Sequence, residues 1–287
     1  MLTEKWRAIS QKGHNDEVLA QNPFNAAALR RLAESDVPVL AFEFARTEAD
    51  WAPPHSHARG QLFALTEGLL IVETARGRWL FPAGRCAWIP PECMHSARSV
   101  GRAAGSMLYF SASASRGLPR QPHVAGESEL LFAIVARILG WNPHNQLTSS
   151  QSRLIAVMRD EIRRPQEEVL RLPIPRTARL ARVAHALLEN VADERTLDHW
   201  AASEGMSRRT FMRAFSNEIH MPFGQWRQKA RLFAALERLG QDESVTDVAI
   251  AVGYSSVSAF IEMFRSTLGT TPGQYFLRRT SAKSQLP

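Results

Sequence analysis

One helical pattern occurs twice between residues 196 and 275, and this duplication constrains the chain more than any other feature. The first copy reads TLDHWAASEGMSRRTFMRAFSNEI; the second reads SVTDVAIAVGYSSVSAFIEMFRSTLG and runs on into TTPGQY. Each opens with a short amphipathic helix, marked by Leu197, Trp200 and Ala201 in one and by Val245, Val248 and Ala249 in the other. Each then reaches a glycine, Gly205 or Gly253, where a left-handed backbone meets no Cβ penalty. A serine follows, Ser207 or Ser256, placed to cap the free N–H groups of a second helix. That helix carries an apolar seam at i, i+4: Phe211 with Phe215, then Phe260 with Phe264. The spacing predicts two helix-turn-helix units, joined by one continuous helix over Phe223–Leu239.

These residues resemble the AraC/XylS family of transcription regulators. The resemblance rests on Ser207, Arg209, Phe211, Arg213 and Phe215, then on Ala249, Gly253, Tyr254, Ser258, Phe260, Phe264 and Arg265, and finally on Gly269, Pro272 and Tyr275. It covers about the last hundred residues of the chain. It implies a domain whose two recognition helices enter successive major grooves on one face of double-stranded promoter DNA. One departure is His220, where the family usually has glycine after the first recognition helix.

Removing the core positions sorts the recognition helices. With Phe211, Ala214 and Phe215 turned inward, Arg208, Arg209, Met212 and Arg213 face out. Arginine can fork onto guanine O6 and N7 or grip phosphate. By family correspondence, Arg209, Met212 and Arg213 fall on base-reading positions. In the second helix Val257, Ser258, Ile261 and Glu262 are expected outward, and Glu262 stands where related proteins often carry a basic residue. With Ser207, Ser256 and Arg265 they form the expected DNA-contacting set, and the first motif is expected to read sequence more strongly.

Composition admits this partner without demanding it. The formal charge is +7 over 287 residues, of which +4 falls from Arg176 onward, so the excess is mild and spread out. Affinity for phosphate must come from local placement of arginines. No run of eighteen apolar residues spans a membrane, and MLTEKWRAIS lacks the charge-then-apolar pattern of a secretory signal. Cys86 and Cys93 are too few for a disulfide framework. A cytoplasmic protein is the simplest expectation.

The N-terminal half has a different grammar. Residues 1 to 37 are mixed, with a turn suggested at Asn22, Pro23, Phe24 and Asn25. From Val39 short apolar or alternating runs recur: VLAFEFA, GQLFALTEG, LLIVETAR, GRWLFPAG, RCAWIPP and SMLYFSAS. Breaks are expected at Pro53-Pro54, Gly68, Gly77, Pro82, Gly84, Pro90-Pro91 and Gly105, which predicts a small β-barrel or sandwich. His55, His57, Gln61 and Gly68, followed by Gly84, Pro90 and His95, resemble the two motifs of the cupin family. That family supplies a His-x-His pair, an acid four residues later and a further histidine on a later strand. Here Gln61 occupies the acid position and Glu92 the second motif's glycine position.

On a strand His55 and His57 would share a face. If that face is interior, His95 could join them, and three imidazoles with the Gln61 amide oxygen would suit a divalent transition metal. Hydrogen-bonded core histidines are the alternative. Losing the acid's charge disfavours hard cations and oxygenase chemistry. Cys93 reads as a soft ligand or a small apolar residue, and Trp79, Trp88, Phe63 and Phe81 as effector-pocket lining or core.

After a Ser/Gly/Pro-rich connection over 111–121, the period becomes helical. ESELLFAIVARILGW presents Leu130, Leu131, Ile134, Val135, Ile138 and Leu139 on one broad face; SSQSRLIAVMRDEIRR presents Leu154, Ile155, Val157, Met158 and Ile162. Either these helices pair with a second subunit or they pack on their own barrel. RPQEEVLRLPIPRT, with Pro165, Pro173 and Pro175, reads as an interdomain linker, and a helix over 177–190 opens the last domain.

The expected organisation is thus α+β and multidomain. A cupin-like sensor occupies 1–125, a helical, dimerisation-type segment and linker 126–175, and a double helix-turn-helix domain 176–287. The expected function is a DNA-binding transcription regulator, not an enzyme, that senses a small molecule or metal. Its expected partners are promoter DNA, an effector, a second copy and, if it activates, RNA polymerase. A metal-dependent cupin enzyme with a helical appendage is the alternative, and a pure interaction protein is a third reading.

Overall fold

The computed structural model describes residues 37–46, 51–125, 128–142, 147–164 and 170–275. The turn expected at Asn22–Asn25 and the first linker residues, 165–169, lie outside them. The sheet-rich part contains β1 (Val39–Arg46), β2 (Trp51–His55), β3 (Gly60–Thr74), β4 (Gly77–Pro82), β5 (Cys86–Ile89), β6 (His95–Phe110), β7 (His123–Ala125) and β8 (Arg171–Pro173). The helices are α1 (Glu129–Leu139), α2 (Ser149–Arg163), α3 (Ala178–Glu189), α4 (Leu197–Ser203), α5 (Arg208–Ile219), α6 (Phe223–Leu239), α7 (Val245–Ala251) and α8 (Val257–Leu268). Among the described residues no helix is long and apolar enough to cross a membrane.

Two long bent strands organise the sheet. β3 pairs with β5 through Gln61–Ala64 and with β4 through Leu69–Thr74, and it pairs with β6 along its length. The second half of β6 also takes β1 and its first half takes β2. The break expected at Gly68 is instead a bulge inside one strand: its φ is +82° and the register shifts on either side of Glu67. Gly105, also expected to end a strand, lies within β6, where a Cβ would come within 2.2 Å of the Ala64 carbonyl oxygen. Glycine there permits close strand approach rather than a turn.

The barrel expectation needs correcting. The hydrogen-bonded path β1-β6-β3-β4-β8 has two ends and does not close on itself. Its last member comes from the linker: Arg171–Pro173 adds to the edge of β4, where a proline is tolerated because no further strand needs its donor.

Each sheet face has its own cover. Phe63, Leu65, Leu70, Val72, Trp79, Phe81, Met107 and Tyr109 fill the interior. Alternate residues Leu62, Ala64, Cys86, Trp88 and Leu108 pack outward on α1 and α2. Further along, Leu69, Ile71, Leu80 and Val100 join the core of the C-terminal helices. Trp88 therefore does not share the interior with Trp79, Phe63 and Phe81; its Nε1 donates to the Pro119 carbonyl oxygen at 2.9 Å. Two contacts tie the sheet region to α6. Trp226 Nε1 donates to the Pro173 carbonyl oxygen at 2.7 Å, and Arg98 pairs with Glu237 at 2.5 Å.

Candidate DNA interface and histidine cluster

The duplication in sequence is a duplication in geometry. Thr196 and Ser244 cap the first helix of each motif, accepting from His199 N and Asp247 N, both at 3.2 Å. Each first helix ends in the same six-residue wrap, with Met206 N donating to Ala201 O at 2.9 Å and Tyr254 N to Ala249 O at 3.0 Å. Gly205 and Gly253 take the left-handed position, with φ of +66° and +83°. Ser207 and Ser256 then cap α5 and α8 by accepting from Thr210 N and Ala259 N, again both at 3.2 Å. Phe211 with Phe215 and Phe260 with Phe264 are fully buried, each pair with ring centroids 5.9 Å apart.

The outward faces differ between the copies. On α5, Arg208, Arg209, Met212 and Arg213 are all exposed. Arg208 pairs with Asp198 of α4 at 2.9 Å, whereas Arg209 and Arg213 have no partner among the described residues. On α8, Ser258, Glu262 and Arg265 are exposed, but Val257 and Ile261 are half-buried against the core. The expectation that those two point fully outward is corrected: a β-branched pair at i, i+4 extends the apolar seam one step around the helix. Ser207 and Ser256 are exposed and hold the helix caps.

A cleft between the motifs escaped the sequence reading. Glu194, Gly224, Arg227, Gln228, Arg231, Gly253 and Tyr254 line it, with a volume of about 440 Å³. The signal was present as Arg227 and Arg231, one turn apart on the connecting helix, but nothing local tells which face of α6 stays open.

In the sheet, His55, His57 and His95 come together, with one ring nitrogen of each inside a common 4.8 Å span. The route differs from the expected one. β2 ends at His55, so His57 lies in the following turn and does not share a strand face with it. Convergence comes from the cross-strand pair His55↔His95, whose ring centroids are 4.4 Å apart, and from the turn that folds His57 over them.

Each imidazole is oriented through Nδ1. His55 Nδ1 donates to Pro53 O at 2.8 Å, His57 Nδ1 to Arg59 O at 2.5 Å and His95 Nδ1 to Cys93 O at 2.8 Å. A carbonyl can only accept, so each Nδ1 carries a proton, and in the neutral form of each ring Nε2 is left as the acceptor. His57 Nε2 lies 3.2 Å from Gln61 Oε1, while Gln61 Nε2 donates to the Tyr109 hydroxyl at 2.8 Å. Burial lowers the His57 pKa and pushes that of His95 down to about 3, so both stay neutral at neutral pH. Cys93 is half-buried and outside the cluster, with its thiol pKa raised by burial. Tyr109, cross-strand partner of Gln61, was not foreseen, because strand register sets that pairing.

Comparisons with known proteins agree with both halves. Residues 37–196, more than half of the chain, match an AraC-like ligand binding domain, and residues 200–278 match a helix-turn-helix domain. The HTH-type transcriptional regulator NimR of Escherichia coli is 29% identical over 241 residues, covering 84% of this chain and 88% of NimR. The HTH-type transcriptional regulator RipA of Corynebacterium glutamicum is 36% identical over 104 residues, 36% of this chain and 31% of RipA. Among solved structures, ToxT from Vibrio cholerae aligns with 84% of this chain and 98% of its own, at 9% identity and a TM-score of 0.37. With paired helix-turn-helix units following a sheet domain of the matching type, the chain belongs to the AraC family of DNA-binding transcription regulators that carry an N-terminal ligand-binding domain.

Proposed function

We propose that Arg209, Met212 and Arg213 of α5 read bases, with Ser258, Glu262 and Arg265 of α8 contacting the adjacent groove, and that the histidine cluster binds the effector or part of it. The observation that carries the sensor reading is the common tautomer of the three histidines. Their Nε2 lone pairs and Gln61 Oε1 are all acceptors, and two acceptors 3.2 Å apart repel unless something positive lies between them. A divalent transition metal held by His55, His57, His95 and Gln61 would satisfy all four, and the Nδ1–carbonyl bonds are the outer contacts such ligands use. The metal would supply a Lewis-acidic point for an effector's donor atom. Gln61 in place of an acid favours sensing over turnover, so the reading is a regulator and not an enzyme.

A second reading rests on the same pair. Turning the Gln61 amide over would let its nitrogen donate to His57 Nε2 and its oxygen accept from Tyr109, giving a metal-free polar core. Elemental analysis of untagged protein separates the two. About one equivalent of transition metal, lost in His57→Ala with the fold retained, supports the first; a metal-free wild type that still changes its DNA affinity with an organic ligand overturns it.

The chain also pairs with a second copy in this reading, through the outer faces of α1 and α2, where Leu130 and Val157 are exposed. Leu130→Glu should then yield monomers in sedimentation velocity. RNA polymerase would be a further partner if the regulator activates, and the cytoplasm is the compartment where these partners meet.

A further inference from the structure

An open cleft lies against the connecting helix, flanked by the segments that lead into α4 and α8. Its floor is α6, through Gly224, Arg227, Gln228 and Arg231. One rim is Glu194, just before α4; the other is Gly253 with Tyr254, just before the cap of α8. In helix-turn-helix proteins the first helix crosses the backbone and the second enters the groove by its N-terminal residues. The rims belong to the segments that lead into the first motif's first helix and into the second motif's recognition helix.

The cleft is built for negative charge and short of it. Arg227 and Arg231 are anchored rather than floppy: Arg227 Nη1 donates to Arg195 O at 3.0 Å and Arg231 Nε to Val191 O at 3.1 Å. Arg231 also lies over the Tyr254 ring, 5.6 Å from its centroid. Like charges one helical turn apart repel. Burial, then the Arg231 charge, lower the Arg227 pKa, and the nearby Asp193 offsets this only in part. Arg227 Nε is buried with no hydrogen-bond partner among the described residues. Glu194 is exposed at the rim and forms no ion pair with either arginine, and Asp193 is engaged by Arg195 at 2.8 Å. At Gly224 a Cβ would meet nothing within 4 Å, so the floor is open.

We propose that this cleft, through Arg227 and Arg231, seats a backbone phosphate of the duplex segment that joins the two grooves read by α5 and α8. The inference rests on the DNA-binding reading of those helices. It assigns the connecting helix a binding role as well as a spacing one, and it makes Glu194 an opposing charge that holds affinity down.

The test uses the full chain and two labelled duplexes of equal length, the gene's own upstream region and a scrambled sequence, titrated by fluorescence anisotropy across a salt series. A phosphate contact contributes about 0.9 to the slope of log K against log salt. Arg227→Gln should therefore weaken binding about eightfold at 0.1 M salt relative to 1 M, equally for both duplexes, and lower the slope by about one unit. Glu194→Gln should tighten both. An unchanged slope in Arg227→Gln beside a normally salt-dependent wild type overturns the proposal. A wild type that binds neither duplex would instead sink the DNA reading itself. Thermal stabilisation by millimolar inorganic phosphate that Arg227→Gln abolishes, with the DNA slope intact, would assign the cleft to a free anion and also overturn the proposal.

Discussion

The two recognition helices end in the same conformation with different residues, which sets up an internally controlled measurement. α5 terminates at His220 with φ +60° and ψ +26°; α8 terminates at Gly269 with φ +72° and ψ +2°. An L-residue in the left-handed region costs roughly 1–2 kcal/mol. Replacing it with glycine also frees the unfolded chain, which returns about 0.4–1 kcal/mol. The His220 side chain is exposed and has no partner among the described residues, so its removal forfeits no contact. His220→Gly should therefore stabilise by about 0.5–1 kcal/mol. Gly269→His should destabilise by a similar amount, because a Cβ there meets nothing within 4 Å and only the backbone term acts. Both positions flank the same helical core, so urea unfolding followed by far-ultraviolet circular dichroism reports on one unit. The double swap should return close to the wild-type midpoint. A destabilised His220→Gly, or a neutral Gly269→His, would refute the argument that backbone conformation governs both ends.

Arg209→Ala and Arg213→Ala should each weaken the cognate duplex by about 1–3 kcal/mol while leaving a scrambled one nearly unaffected; equal losses on both duplexes would reassign them to phosphate. Arg208→Ala should cost less, since Asp198 already engages that side chain. Glu218 accepts from the Arg176 and Thr177 backbone N–H groups at the start of α3; burial raises its pKa, those donors outweigh burial, and the net shift is downward. A depressed carboxylate stabilises above its unfolded pKa and loses that contribution as pH falls through the folded value. Stability should therefore decline below about pH 4.5. Glu218→Gln should lose about 1 kcal/mol at pH 7 and show a flatter acid limb; an unchanged limb would remove Glu218 from the account. Trp226→Phe should cost about 1 kcal/mol by leaving the Pro173 carbonyl without its donor, read by chemical denaturation.

The helical half was legible because its signals are local. A 3.6-residue period, a capping serine and a turn glycine all lie within one or two dozen residues, and the connecting helix falls on Phe223–Leu239 as the sequence predicts. Departures from the family glycines were equally informative: Glu92 and His220, both standing at glycine positions, are two of the three non-glycine residues with positive φ among those described. What the period could not show is where Val257 and Ile261 sit, because half-burial depends on neighbours from other elements. The sheet half was legible as strands but not as a sheet. Gly68 and Gly105 look like breaks in one dimension, yet in three they allow a bulge and a close strand contact. The histidines stand out in the sequence, but their convergence depends on a register, His55↔His95, and on a turn, and neither leaves a periodic trace.

The linker shows most clearly why a reading in chain order runs out. Proline-rich stretches signal extended backbone, and residues 171–173 are extended, but they are also a strand. Extended chain beside an unpaired edge such as β4 completes the ladder at little conformational cost, since its φ values are already restricted. Once β8 is in place, Leu172 points into the same core as Leu80, Leu180 and Trp226, and Pro173 offers its carbonyl to the connecting helix. The strand partner of β8 also carries Trp79, which faces the sheet interior with Val72 and Phe81. Along β3 the alternation is strict here: Leu69 and Ile71 touch the helical core, Leu70 and Val72 the interior. One thickness of sheet therefore separates the histidine-bearing interior from the packing surface of α6. Interiors at crystal-like density do not absorb a displaced side chain locally. A ligand that displaced Val72 or Trp79 would therefore press on a wall whose other face, through Leu69, Ile71 and Leu80, packs against the helical core.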